Sequence, residues 1–97
     1  MDINKEKDEV LTVKVSGRLD VLTAPDLEKE LQSSLDGVKA LVFDLSDLTY
    51  ISSAGIRVLL ATQKNYGKQI KVMIRNTSPD IMAIFKMTGI TKAMDVD

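Results

Sequence analysis

Residues 10–16 alternate: Leu11, Val13 and Val15 stand against Thr12, Lys14 and Ser16. A period of two predicts a strand with one buried face. Residues 3–7 are expected to be its hairpin partner across Asp8 and Glu9, and Gly17 is expected to end the strand, with Arg18-Leu19-Asp20 leading out. The period then lengthens. Leu27, Leu31 and Leu35 recur at the spacing of one helical face. Thr23-Ala24-Pro25-Asp26 opens that helix. Thr23 can accept a backbone N–H, Asp26 can reach back, and Pro25 suits a first turn where its missing donor has no partner anyway. Gly37 supplies the stop.

Ala40-Leu41-Val42-Phe43 is a continuous apolar run, which fits a strand buried on both faces. Residues 44–48 carry it into a loop. A second helix is predicted from Ser53 to Tyr66, with Ile56, Leu59 and Leu60 turned inward and Gly67 as its cap. Residues 70–74 read as another strand. Asn76-Thr77-Ser78-Pro79-Asp80 starts a third helix, which places Ile81, Ile84 and Phe85 on one face and closes at Gly89. Residues 93–96 add a last short strand. Strands separated by single-helix crossovers favour parallel pairing, so the order β(β)αβαβα(β) implies an α/β domain with a mixed central sheet and an antiparallel hairpin at one edge. No repeat, low-complexity tract or linker divides residues 1–97, and one domain is expected.

Composition narrows the chemistry. With 97 residues the chain can bury one core, and 44% hydrophobic with 28% charged residues is ordinary globular usage. Net charge is −1 and the cations are scattered among the acids, so the basic stripe that nucleic acid requires is absent. There is no Cys and no His. Disulfides and thiolate chemistry are excluded, and the commonest metal ligand and the commonest neutral-pH base are missing. No carboxylate cluster suggests an oxygen-only metal site, and no cofactor is expected. The N-terminus is polar and the longest apolar stretches are strand-sized, short of the ~18 residues of a membrane span. A soluble, cytoplasmic chain without membrane insertion is expected. Met73, Met82, Met87 and Met94 read as core filling and helix surface, and Phe43 and Tyr50 as packing residues. Arg57, Lys64 and Lys68 read as solvated helix charges, with an acidic partner surface as the other reading.

The informative stretch is residues 44–60, where a buried strand passes through an acidic loop into Ser52-Ser53-Ala54-Gly55 and a Leu-rich helix. Helix starts expose unpaired N–H groups, and serine caps them well, so a cap is the simplest role for this pair. Ala54 and Gly55 carry little bulk, which would let another protein approach and leave the Ser53 hydroxyl beside a low, accessible surface. A nucleophile at a strand–loop–helix junction is the alternative. The flanks are not Gly-x-Ser-x-Gly, however, and without His no Ser-His-Asp triad exists, so an enzyme is not expected.

Residues 44–60 resemble the signature of the STAS family (sulfate transporter and anti-sigma factor antagonist): Asp-Leu-Ser, a spacer, a serine motif, Gly and a Leu-rich helix. Gly17-Arg18-Leu19-Asp20 with Thr23-Ala24 is similar to the family's other characteristic turn, and residues 76–89 to its last helix. The resemblance implies a stand-alone anti-sigma factor antagonist. Its phosphorylated serine, counted back from Gly55, is Ser53. Ser52 is the alternative acceptor, because it stands where the family often has Asp, and Ala54 replaces a hydroxyl residue. Partners implied are an anti-sigma factor serine kinase, bound by the unmodified form so that a sigma factor is released, and a PP2C-type phosphatase that reverses the modification. Partner-binding residues are expected at Asp20, Thr23, Ser52, Ser53, Ala54, Gly55, Ile56 and Arg57. Asp20 and Asp47 are expected to lie close together and to strengthen a negative patch with the phosphate. A stand-alone STAS subunit regulating a transporter complex is the second reading of the same resemblance.

Overall fold

The alternating segment becomes the second strand of a mixed sheet. The computed structural model describes the backbone of residues 2–7 and, with side chains, residues 9–97. β1 (Asp2–Lys7) runs antiparallel to β2 (Val10–Leu19), with Ile3 opposite Val15 and Lys7 opposite Leu11. The chain continues through α1 (Ala24–Ser34), β3 (Ala40–Asp44), β4 (Leu48–Ile51), α2 (Ser53–Tyr66), β5 (Lys71–Arg75), α3 (Pro79–Thr88), α4 (Ile90–Ala93) and β6 (Asp95–Val96). Sheet order is β1-β2-β3-β5-β6, and every pairing after the first hairpin is parallel. The expected α/β domain with a mixed sheet is the one observed.

Neighbouring strands bury the same rows. Leu11, Leu41 and Val72 lie in register, as do Val13, Phe43 and Ile74, and all six are buried. Thr12, Val42 and Met73, one residue on, are only half-buried. The helices therefore cover a single face of the sheet. This corrects the expectation that β3 is buried on both sides: its small apolar residues, Ala40 and Val42, tolerate a partly open face, and an unbroken apolar run does not distinguish the two cases.

Two further differences shape the functional end of the molecule. β2 does not stop at Gly17. With φ at +74°, a conformation open to glycine, Gly17 shifts the register between itself and Arg18 and lets the strand run on to Leu19. β2 pairs with β3 as far as Lys14 and with β4 from Gly17 onward. Leu45 and Leu48 turn the chain by burying their side chains, and Leu48 opens β4 where a loop was expected.

The helices follow their apolar stripes. Leu27 and Leu31 of α1 are buried, whereas Leu35 lies just past the helix end and is half-buried. In α2, Ile56, Val58 and Leu59 are buried, Leu60 only partly, and the buried Thr62 hydroxyl donates to the Val58 carbonyl at 2.8 Å. Ser78 caps α3 by accepting from the Ile81 N–H, and Gly89 closes it at φ +80°. The chain then makes α4, which takes Ala93, so β6 is shorter than expected. Met94 is buried and Met87 fully out in solvent. Among the described residues no helix is long and apolar enough to cross a membrane, and no group of three or more His, Cys, Asp or Glu could hold a metal.

Candidate functional site

The C-terminal ends of β2 and β4 meet the start of α2. Leu19 lies opposite Ile51, and the Ser52 N–H donates to the Leu19 carbonyl at 2.9 Å. Ser52 is still extended (φ −98°, ψ 174°), and its hydroxyl accepts from the Gly55 N–H at 3.4 Å. Ser52 is therefore the helix cap. Ser53 is the first helical residue, exposed, and its hydroxyl forms no hydrogen bond with the described residues. The two readings of the serine pair, cap and free hydroxyl, fall on different residues.

Gly55 faces inward. A Cβ there would meet Leu19 Cγ at 2.8 Å, Ile51 Cγ1 at 2.9 Å and the Leu19 carbonyl oxygen at 2.9 Å, well inside van der Waals contact. Its missing side chain lets the first turn of α2 sit on the sheet. Ile56 is likewise buried, at 7% exposure. The expectation of an accessible low surface over Gly55 and Ile56 is thus corrected, while Ala54 is half-buried and Arg57 exposed.

Asp20 organises the neighbouring turn. Its Oδ1 accepts from the Leu22 N–H at 3.0 Å and the Thr23 N–H at 3.2 Å, and Arg18 Nε lies 3.5 Å from Oδ2. Desolvation works to raise the Asp20 carboxyl, but the Leu22 and Thr23 N–H groups, the Thr23 hydroxyl and Arg18 together outweigh it and hold the group below the usual carboxylate range. The Thr23 hydroxyl accepts from the Asp20 N–H and donates to the Arg18 carbonyl, both at 2.9 Å. It makes no cap bond to α1, so the expected reciprocal capping with Asp26 is absent; the hydroxyl is committed to the turn behind it. The Arg18 guanidinium stands 4.1 Å over the Tyr50 ring, a cation–π contact that leaves Tyr50 at 40% exposure where packing was expected.

Asp47 is not part of this cluster. Its carbonyl accepts from the Gly17 N–H, roughly 10 Å of strand back from Asp20, and its carboxylate turns further back to pair with Lys14 at 3.0 Å. The bulge at Gly17 and the Lys14 pair hold it there, and the expected Asp20–Asp47 patch does not form.

Between α1 and α2 runs a groove of about 350 Å³, lined by Val21, Ala24, Pro25, Glu28, Ala54, Arg57, Val58 and Ala61. Beside it Val21 and Leu22 are 70% and 81% exposed. With the groove's apolar lining they form an exposed apolar patch on this face. Sequence reasoning missed Val21, Leu22, Pro25, Glu28 and Ala61. The one available signal was an apolar pair lying outside both the strand and the helix period.

The site is thus a free serine at a helix start beside an apolar groove, set on the single-faced sheet of a small α/β domain. The chain belongs to the STAS family: the STAS domain model matches residues 3–97. The anti-sigma-B factor antagonist of Staphylococcus aureus (strain NCTC 8325 / PS 47) is 32% identical over 102 residues, covering 100% of this chain and 94% of the relative. Among solved structures, an anti-sigma factor antagonist from Mycobacterium paratuberculosis is 33% identical, with a TM-score of 0.81 over 98% of this chain and 85% of its own. SpoIIAA shares the fold at 16% identity. Its unphosphorylated form has a TM-score of 0.82, covering 99% of this chain and 88% of its own. Its phosphorylated form has a TM-score of 0.73, covering 99% of this chain and 91% of its own.

Proposed function

We propose that this chain is a cytoplasmic anti-sigma factor antagonist, a binding module switched by phosphorylation of Ser53. In its unmodified form it docks on an anti-sigma factor that is itself an ATP-dependent serine kinase, and a sigma factor is released. The kinase then moves the γ-phosphoryl group of ATP to Ser53 Oγ; ADP leaves, the hydroxyl proton passes to the kinase, and the complex separates. A PP2C-type phosphatase hydrolyses the phosphate and restores the docking form.

The observation that carries this reading is the exposed, unengaged Ser53 hydroxyl beside the apolar groove and the Val21–Leu22 turn. Ser52 holds the helix cap, so Ser53 is free for modification without a structural cost. A phosphate adds about −1.5 to −2 charge at pH 7. Helix N–H groups and dipole accommodate that charge within the domain. A partner surface fitted to a neutral hydroxyl must instead desolvate it. The relatives' names, and a fold relative solved with and without phosphate, support the reading.

Incubation with the cognate kinase and ATP, followed by phosphopeptide mapping, tests it. Modification is expected on Ser53, with Ser53→Ala binding the kinase constitutively and Ser53→Asp binding weakly. Phosphate confined to Ser52, or Ser53→Asp bound as tightly as the parent, would overturn the proposal.

A further inference from the structure

We infer that Arg57 is the internal receptor for the phosphate on Ser53, closing onto it in the modified state and leaving the rim of the α1–α2 groove. The inference rests on the proposed function, in which Ser53 is the acceptor, and adds a residue that completes the switch. Ser53 and Arg57 are the first and fifth residues of α2. Residues four apart are neighbours on a helix face, with Cβ atoms about 5–6 Å apart. Side chains on a helix lean toward its N-terminus, so Arg57 is directed back over the turn that holds Ser53. The order, anion first and cation four residues later, is the favourable one. A guanidinium also meets phosphate oxygens with two parallel N–H donors.

The surrounding charges leave this pairing open. Arg57 is exposed and makes no ion pair or hydrogen bond with the described residues. The first turn of α2 contains no acid. Asp20 is occupied by Leu22, Thr23 and Arg18, and Arg18 by Asp20 and Tyr50. Glu28, on α1, lines the same groove and makes no ion pair with Arg57. In the unmodified protein Arg57 is thus a cation on the docking rim. Phosphate on Ser53 withdraws it, so modification introduces a negative charge and removes a positive one at the same surface.

The test uses full-length chain with phosphoserine installed at position 53 by genetic encoding, which needs no kinase. Phosphorus NMR then follows the second phosphate ionisation, near pH 6 for the free group, in the parent and in Arg57→Gln, Arg57→Lys and Arg18→Gln. Arg57→Gln is expected to raise this pKa by roughly 0.2–0.4, the size of an exposed helix pair. Arg57→Lys should return it toward the parent value, and Arg18→Gln should leave it unmoved, with circular dichroism confirming equal helicity throughout. The same pKa in Arg57→Gln and parent, or a rise produced by Arg18→Gln instead, would overturn the inference. Failure of the kinase to modify Ser53 would sink the proposed function alone, because this measurement does not involve the kinase.

Discussion

Gly55→Ala tests the inward packing of α2 most directly. Alanine is the better helix former, and on that ground alone the substitution would stabilise by roughly 0.5–1 kcal/mol. The new methyl group would sit 2.8 Å from Leu19 Cγ and 2.9 Å from both Ile51 Cγ1 and the Leu19 carbonyl oxygen. Neither neighbour can step aside: Leu19 and Ile51 are buried, and the Leu19 carbonyl is held by the Ser52 N–H at 2.9 Å. Overpacking costs about 1–3 kcal/mol. Three contacts under 3 Å, one of them to backbone, place this site at about 2–3 kcal/mol, so that after a helix gain of roughly 1 the expected net loss is about 1–2 kcal/mol. For a domain of this size that corresponds to a fall in Tm of roughly 5–10 °C. Calorimetry or a thermal melt followed by circular dichroism measures it, with urea unfolding as a check that the m-value is unchanged. A Tm equal to or above that of the parent would mean that Gly55 faces an open surface and that the packing argument is wrong. A bulky residue at Gly55 is consequently a poor probe of partner docking, because it would damage the fold first.

The serine pair predicts a contrast: Ser52→Ala should cost about 1 kcal/mol in urea unfolding through loss of the cap, while Ser53→Ala should stay within about ±0.5 kcal/mol, and equal losses would refute the division of roles. Leu22→Ser should leave Tm unchanged and weaken anti-sigma factor binding by calorimetric titration, with undiminished binding placing the docking surface elsewhere. Because the folded Asp20 carboxyl lies below its ordinary range, its contribution is complete above the unfolded value and is lost as pH falls through the folded one. The gap in urea midpoint between parent and Asp20→Asn should therefore be constant at neutral pH and shrink below about pH 4, and a pH-independent gap would contradict it.

What the sequence made legible was whatever side chains write as a period. The alternation of β2, the stripe of α1 and the bounds of α2, Ser53 to Tyr66, were all readable. β4 was not, because its four residues, Leu48-Thr49-Tyr50-Ile51, bury their ends and expose their middle. Its pairing also depends on a bulge in a distant strand. At the site, position was legible and direction was not: a glycine has no side chain from which a buried face can be inferred, so Gly55 could be read as easily outward as inward. Thr23 misled for the opposite reason. Its hydroxyl had two competing acceptors and donors within reach, and only the folded turn decides between them.

Ser52 anchors the helix by its cap and Gly55 by its contact with Leu19, while the Ser53 hydroxyl makes no hydrogen bond with the described residues. This separation bears on the protein's lifetime. Cellular proteolysis follows the population of opened molecules, and that population is set by folding free energy. Phosphate on Ser53 breaks none of these contacts and meets the helix N–H groups and dipole favourably, so the modified form should be cleared no faster than the unmodified one. The modified chain would then persist as a reservoir, and the fraction competent to dock would change without any need for resynthesis.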